Sequence, residues 1–409
     1  MIHALTLENF MSVRDRQVID LTVGSAVVDS PERYADAWTG SGQRAPKVVA
    51  FFGANAAGKS TVLRAIQHLA VFVRDSFQFA AGSSLPIEPF WDAEHESAPT
   101  TLALEFASAE HIFSGSGKAP TESDAKCRYQ YELRVQSVDG RRTVLSESLF
   151  FWPSHAKRRV RLFERDAAGK VSAGSEFGLL AAQNSVLRKI LRDNASVIAT
   201  LAQLDHGPSK ALQESTRRIW SNILIEKVNV NENAMLHFYQ ANPAVLEAVN
   251  RDIPRIDLGI RSMSIERGNA GPVASFKHEG LSRDVPLVLE SHGTRQFLLA
   301  YPYLASVLEN GGIAVIDELD LAIHPLVLPE ILRWFYSAER NPHNAQLWMT
   351  CQNASLLEDL TKEEIYFCEK DACGGTSVYG LKDIQGVRRV DNFYRKYMGG
   401  TYGAIPTIG

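Results

Sequence analysis

The sequence predicts an α/β fold with a mostly parallel sheet covered on both faces, and three observations lead there. Val48–Phe52 (VVAFF) is an unbroken apolar run that passes directly into a glycine-bearing turn, GANAAGKST. From Ser60 to about Phe79 the apolar residues Val62, Leu63, Ile66, Leu69, Ala70 and Val73 recur at helical spacing. The last third alternates short apolar runs (Ile313–Ile316, Gln346–Thr350, Glu364–Glu369) with amphipathic stretches (Gln296–Leu308, Leu326–Ser337). Strands buried on both faces read as continuous apolar runs, and alternating strand and helix places the strands parallel.

The earlier part of the chain is organised differently. Residues 2–7 alternate like a half-buried strand, and Arg16–Val23 offers a second extended run before a polar stretch at 24–46. Thr101–Phe106, Tyr129–Val135, Val144–Phe151 and Val160–Glu164 read as strands, with Asp139-Gly140 as a hairpin turn. Residues 178–250 are rich in helix formers, with apolar spacing at Leu187, Ile190, Leu191 and again at Val197, Ile198, Leu201, Leu204. The expected organisation is residues 1–110 and 251–409 as two pieces of one nucleotide-binding head, with 111–250 as a strand-then-helix insertion.

Composition narrows the function classes. The chain has 409 residues, 45% hydrophobic and 22% charged, which excludes wholesale disorder. A formal net charge of −4 argues against a surface that coats nucleic acid throughout. The four cysteines show no C-x-x-C pair and suit reduced thiols in the cytoplasm. The N-terminus lacks the basic and apolar segments of a secretory leader, and no charge-free apolar run reaches membrane-spanning length.

Gly53-Ala54-Asn55-Ala56-Ala57-Gly58-Lys59-Ser60, followed by Thr61, satisfies G-x-x-x-x-G-K-[ST]. The glycines let backbone N–H groups converge on phosphate, Lys59 adds a cation, and the Ser60 hydroxyl suits Mg²⁺. The positive end of the following helix adds to the anion site. A second motif ends the apolar strand Ile313–Ile316 in Asp317-Glu318. Asp317 is the candidate Mg²⁺ ligand and Glu318 the candidate group that polarises an attacking water.

Two turns have open readings. Ser291-His292-Gly293-Thr294 precedes a helix, where Ser291 and Gly293 could bind an anion or simply cap the helix. His324, in Ile323-His324-Pro325, is either a functional contact or a helix cap. Lys157, Arg158, Arg159 and Arg161 stand in a stretch, 111–170, with 12 Lys+Arg against 7 acids. They could meet a nucleic-acid backbone or face solvent. No G-x-S-x-G elbow and no metal-ligand spacing of His and Cys occur.

Taken together, these motifs resemble the ABC-type ATPase heads of the RecF, SMC and overcoming-lysogenization-defect group. They are closer still to the stand-alone AAA-family ATP-binding proteins of the RloA and AbiL type. The resemblance extends to Leu7–Ser12, Asn194–Gln203, Asp257–Ile260, Ile365–Asp371 and the ending Tyr397–Pro406. It implies a P-loop NTPase fold, ATP and Mg²⁺ as ligands, ATP hydrolysis, and a homodimer in which Ser291 and Gly293 of one subunit close on nucleotide held by Gly53–Thr61 of the other. It places His324 and Asp320 near the dimer seam or the attacking water. It further implies a sensor or scaffold of bacterial anti-phage defence that governs a separate effector, since after residue 360 only about fifty residues remain for a nuclease domain. RecF-like DNA repair and a non-catalytic ATP-gated assembly module are the alternatives. Two positions depart from the group's pattern: His292 stands where an acid is usual, and Gln352, in Met349-Thr350-Cys351-Gln352-Asn353, stands where a histidine is usual. A neutral amide donates a hydrogen bond but cannot gain a proton, so Gln352 points to slow turnover.

Overall fold

A computed structural model describes residues 1–406 apart from 29, 110–124, 154–157, 224–231, 257–258, 270 and 322. The central sheet has six strands in the order Ile219–Ser221, Ile313–Ile316, Gln346–Thr350, Val48–Phe52, Ile365–Lys370, Thr376–Gly380. The first five run parallel and the last is antiparallel.

Val48–Phe52 lies inside this sheet, and its side chains alternate between two cores. Val49 and Phe51 join one core with Val315, Trp348 and the helix Lys59–Asp75. Val48, Ala50 and Phe52 join the other, with Phe297, Leu298 and Leu304 of the helix His292–Asn310 and Ile331 and Phe335 of Leu328–Tyr336. A strand serving two cores has no polar side, which explains its unbroken apolar run.

A second, antiparallel sheet of seven strands covers the far side of the helix Lys59–Asp75. Its order is Val171–Ala173, Val160–Arg165, Arg141–Trp152, Lys126–Val138, Thr100–Ala109, Ile2–Glu8, Gln17–Asp20. Leu5, Leu104 and Tyr131 from this sheet pack into the core shared with Val62, Leu63, Ile66 and Leu69 of the helix. The Asp139-Gly140 turn has φ 49 and 75, the paired left-handed values that a two-residue hairpin requires.

The stretch 111–250 does not form a body of its own among the described residues. Its strands continue the sheet begun by Ile2–Glu8, its helices Val197–Ala202 and Gly207–Thr216 pack on Lys59–Asp75, and Ile219–Ser221 is an edge strand of the central sheet. The reason is edge pairing: strands at 126–165 leave no free edge facing the strands at 2–8 and 100–109, so all join one ladder.

A buried polar knot locks the two parts of that stretch together. Glu147, fully buried in the antiparallel sheet, accepts bonds from the Tyr131 hydroxyl at 2.9 Å, the Ser196 hydroxyl at 2.7 Å and the Val197 N–H at 2.8 Å. Burial raises its carboxyl above the usual range, while Arg165 at 3.8 Å opposes that rise. Ser196 and Val197 start a helix within Asn194–Gln203, so that conspicuous segment fastens helix to sheet. Among the described residues, no helix is long and apolar enough to cross a membrane.

Removing one partner of a buried pair leaves an uncompensated charge. Glu147→Ala is therefore expected to destabilise the protein by about 3–5 kcal/mol, measured by chemical denaturation. A change below about 1 kcal/mol would show that the knot is dispensable.

Candidate functional site

The phosphate-type loop takes its shape from two glycines that tolerate no side chain. Gly53 leaves the central strand at φ 147, and Gly58 enters the helix at φ 99. A Cβ on Gly53 would stand 2.3 Å from the Cys368 carbonyl oxygen; one on Gly58 would stand 2.3 Å from Thr376 Oγ1 and 2.8 Å from Ser12 Oγ. Ala56 is also left-handed, at φ 62. The loop Gly53, Ala54, Asn55, Ala56, Ala57, Gly58 thus turns between the central strand and the helix through three left-handed positions. Lys59, 7% exposed, donates from Nζ to the carbonyls of Gly53 and Ala54, both at 2.9 Å, so its charge is held over the loop.

Hydroxyls brace the loop from outside. The Thr376 hydroxyl lies 3.0 Å from the Ala57 carbonyl and 2.9 Å from Ser12 Oγ, which in turn lies 2.9 Å from Thr61 Oγ1. Ser12, at the end of Leu7–Ser12, therefore supports the loop. Burial pushes the neighbouring Cys368 thiol up to about 12, which keeps it protonated and inert.

The acidic strand end sits directly against this loop. Asp317 Oδ1 accepts the Ser60 hydroxyl at 3.0 Å and the Thr350 hydroxyl at 2.6 Å. Thr350 Oγ1 also accepts the Glu318 N–H at 2.7 Å, so one hydroxyl fixes both acidic residues. Asn222 bonds both backbone groups of Asp317: its Oδ1 accepts the N–H at 2.8 Å and its Nδ2 donates to the carbonyl at 2.9 Å. Glu318 holds the left-handed value φ 53, which those bonds over-determine. Its exposed carboxylate accepts the Gln352 Nε2 bond at 3.1 Å.

Asp320 fixes the turn that carries Gln352. Its Oδ2 accepts the N–H groups of Gln352 at 2.8 Å and Asn353 at 2.6 Å. Burial, with Asp320 close by, raises the Cys351 thiol well above its usual range.

The Ser291 turn and His324 form a separate group. Ser291 Oγ accepts the Thr294 N–H at 3.0 Å and caps the helix His292–Asn310, with Ser291 and His292 exposed. Ser291, Gly293, Thr294, Ile323 and His324 line one cavity of about 200 Å³. His324 Nδ1 accepts the Leu326 N–H at 3.2 Å, so this histidine sits beside the serine turn of its own chain. Of the basic residues, Lys157 lies outside the described residues. Arg158 is exposed, Arg159 donates to Gln130 at 2.7 Å and stacks over Phe150, and Arg161 pairs with Glu164 at 2.9 Å.

The structure thus brings together Gly53–Thr61, Asp317, Glu318 and Gln352. Asn222, Thr350, Ser12 and Thr376 are members that the motifs did not reveal. Thr350 ends one parallel strand, and Asp317 and Asn222 directly follow two others, all at the carboxyl edge where open α/β sheets place their ligands, yet only the strand order shows it. Among the described residues, no cluster of three or more His, Cys, Asp or Glu could hold a metal unaided. Ser60 and Asp317 are instead two oxygen donors beside the glycine-bearing loop, a donor set that suits a hard cation.

Loop and acidic pair define an α/β nucleotide-binding fold of the P-loop class. Residues 48–358, more than half of the chain, match the family described as "AAA domain, putative AbiEii toxin, Type IV TA system", and the chain belongs to that family. No curated protein matches the sequence. Among solved structures, the SMC head domain from Thermotoga maritima aligns over 93% of this chain and 98% of that chain, at 15% identity and a TM-score of 0.43. An SMC head bound to the C-terminal winged-helix domain of ScpA aligns over 93% and 97%, at 14% identity and a TM-score of 0.46. The SMC head with an extended coiled coil, bound to the C-terminal domain of ScpA derived from Pyrococcus furiosus, aligns over 93% and 96%, at 13% identity and a TM-score of 0.43.

Asn222→Ala removes both braces on the Asp317 backbone and is expected to cost about 1–3 kcal/mol of stability in chemical denaturation. A variant as stable as the parent would remove Asn222 from the site.

Proposed function

We propose that this chain is a Mg²⁺-dependent ATPase head of the ABC type, working as a pair and hydrolysing ATP slowly. The observation that carries this reading is the Asp317 carboxylate, which receives one hydroxyl from the phosphate loop and one from the neighbouring strand. Amides of Gly53–Thr61 cradle the β- and γ-phosphates, and the Lys59 ammonium offsets their charge. Mg²⁺, when bound, would neutralise the same oxygens, and Ser60 and Asp317 are the side chains to hold it. Glu318 orients and polarises the water that attacks the γ-phosphate. Gln352 holds the Glu318 carboxylate with an amide that cannot take up a proton, which supports slow turnover.

Pairing is supported by the serine turn. Ser291 and His292 stand exposed at a helix N-terminus, and the exposed apolar residues Val288, Leu289, Leu321 and Leu326 lie close to Ser291 and His324 in sequence. In this reading Ser291 and Gly293 reach the γ-phosphate bound by a second copy, with His324 and Asp320 near the seam, so nucleotide binding becomes association energy. Biologically, the family description names a toxin and a type IV toxin–antitoxin system, which supports a place in such a system; a cytoplasmic defence role in which nucleotide state governs a separate effector is our extension of that reading. A DNA-directed, RecF-like role would draw on Arg158, Arg159 and Arg161, but Arg159 and Arg161 are already engaged within the sheet.

Lys59→Ala should abolish ATP binding, whereas Glu318→Gln should keep binding and lower turnover by about 10²- to 10³-fold, measured by phosphate release and equilibrium titration. Full turnover in Glu318→Gln would overturn its assignment. Glu318→Gln with ATP should also shift from monomer to dimer by mass measurement, and Ser291→Arg should block that shift. A particle that stays monomeric with saturating ATP would contradict the trans arrangement.

A further inference from the structure

Tyr397–Pro406 takes no part in the chemistry assigned to Lys59, Asp317 and Glu318, yet it touches the phosphate loop directly. The Ala54 N–H donates to the Ala404 carbonyl at 3.1 Å, and the Tyr397 hydroxyl donates to the same oxygen at 3.1 Å. Ala404 is buried and left-handed, at φ 56. A residue with a Cβ keeps that conformation only where its surroundings over-determine it.

The surroundings do so here. The turn Gly400–Gly403 has φ 76 and 72 at its two glycines, and a Cβ on Gly403 would stand 2.7 Å from the Tyr379 hydroxyl oxygen. That hydroxyl donates to the Tyr402 carbonyl at 2.8 Å. Phe367, on the strand beside Val48–Phe52, stacks on Tyr397 with centroids 5.2 Å apart and on Tyr402 at 5.9 Å. At its other end, the helix Phe393–Met398 packs on the turn Ala354–Glu358, directly after Asn353, and Asn392 Nδ2 donates to Glu358 Oε1 at 2.9 Å. Through that helix, residues 392–406 bridge the first turn of the phosphate loop and the turn that follows Gln352.

We propose that Tyr397–Pro406 is a strap that positions the phosphate loop for nucleotide, with Tyr397 and Ala404 as positioning residues. The proposal rests on the ATP-binding reading and adds to it a second determinant of affinity, about 350 residues from the loop in sequence. The Ala54 amide is tied to the strap, which fixes how the loop leaves its strand and so the course of Asn55–Ser60. Without the strap, the loop must be ordered by the nucleotide itself, and affinity falls by that ordering cost.

The test compares Mg²⁺–ATP affinity by calorimetry in full-length wild type, Lys59→Ala, Ala404→Val, Ala404→Gly and Tyr397→Phe, with melting of each nucleotide-free protein alongside. Ala404→Val, whose branched side chain opposes a positive φ, should bind about tenfold more weakly. Tyr397→Phe should bind about threefold more weakly. Ala404→Gly should bind like wild type, because glycine adopts that conformation freely. A purely structural segment would lower the melting temperature and leave affinity unchanged, which would overturn the strap. If Ala404→Val fails to fold, wild-type affinity in Tyr397→Phe has the same overturning force. If wild type binds no better than Lys59→Ala, the ATP reading itself fails and takes the strap with it.

Discussion

The arrangement depends on one carboxylate oxygen. Asp317 Oδ1 receives hydroxyls from Ser60 and Thr350, so the start of the helix Lys59–Asp75 and the ends of two strands are tied at one point. Asn222 adds the edge strand by gripping the Asp317 backbone from both sides. Four segments remote in sequence are thereby held in register at one rim of the central sheet. A charge-assisted bond in a half-buried place is stronger than a neutral one, and this one is shared. The strained backbone of Glu318 follows from it, since the Thr350 hydroxyl that serves Asp317 also holds the Glu318 amide.

Packing makes that point rigid. The loop leaves a strand whose every side chain is buried and enters a helix enclosed by two sheets. Neither end can shift without disturbing a core. The loop is also supported from the flanks, by Ser12 and Thr376 on one side and by the Ala404 carbonyl on the other. A site preorganised in this way loses little entropy when it binds an anion.

Much of this was legible in the sequence, and the parts that were not share a cause. Val48–Phe52, Ile313–Ile316 and Gln346–Thr350 were readable because strands buried on both faces leave unbroken apolar runs, and the loop because only glycine fits where Gly53 and Gly58 meet backbone and side chain. Asp317 and Glu318 were readable because two acids end such a strand. Thr350, Asn222, Ser12 and Thr376 were hidden, since a lone hydroxyl or amide carries no local signal and acquires a role only through strand order. Likewise, periodicity identified the strands at 126–165 but not that they pair into the sheet of Ile2–Glu8. His324 carried no local signal that placed it by the Ser291 turn, with which it lines one cavity.

Asp317 as the anchor of a metal–nucleotide site can be measured without any turnover. ATP affinity should be determined by titration with Mg²⁺ and with chelator, in the wild type and in Asp317→Asn. The account predicts that Mg²⁺ tightens wild-type binding and that this gain largely disappears in Asp317→Asn, while the chelated affinities of the two stay similar. An Asp317→Asn protein that keeps the full Mg²⁺ dependence would contradict it.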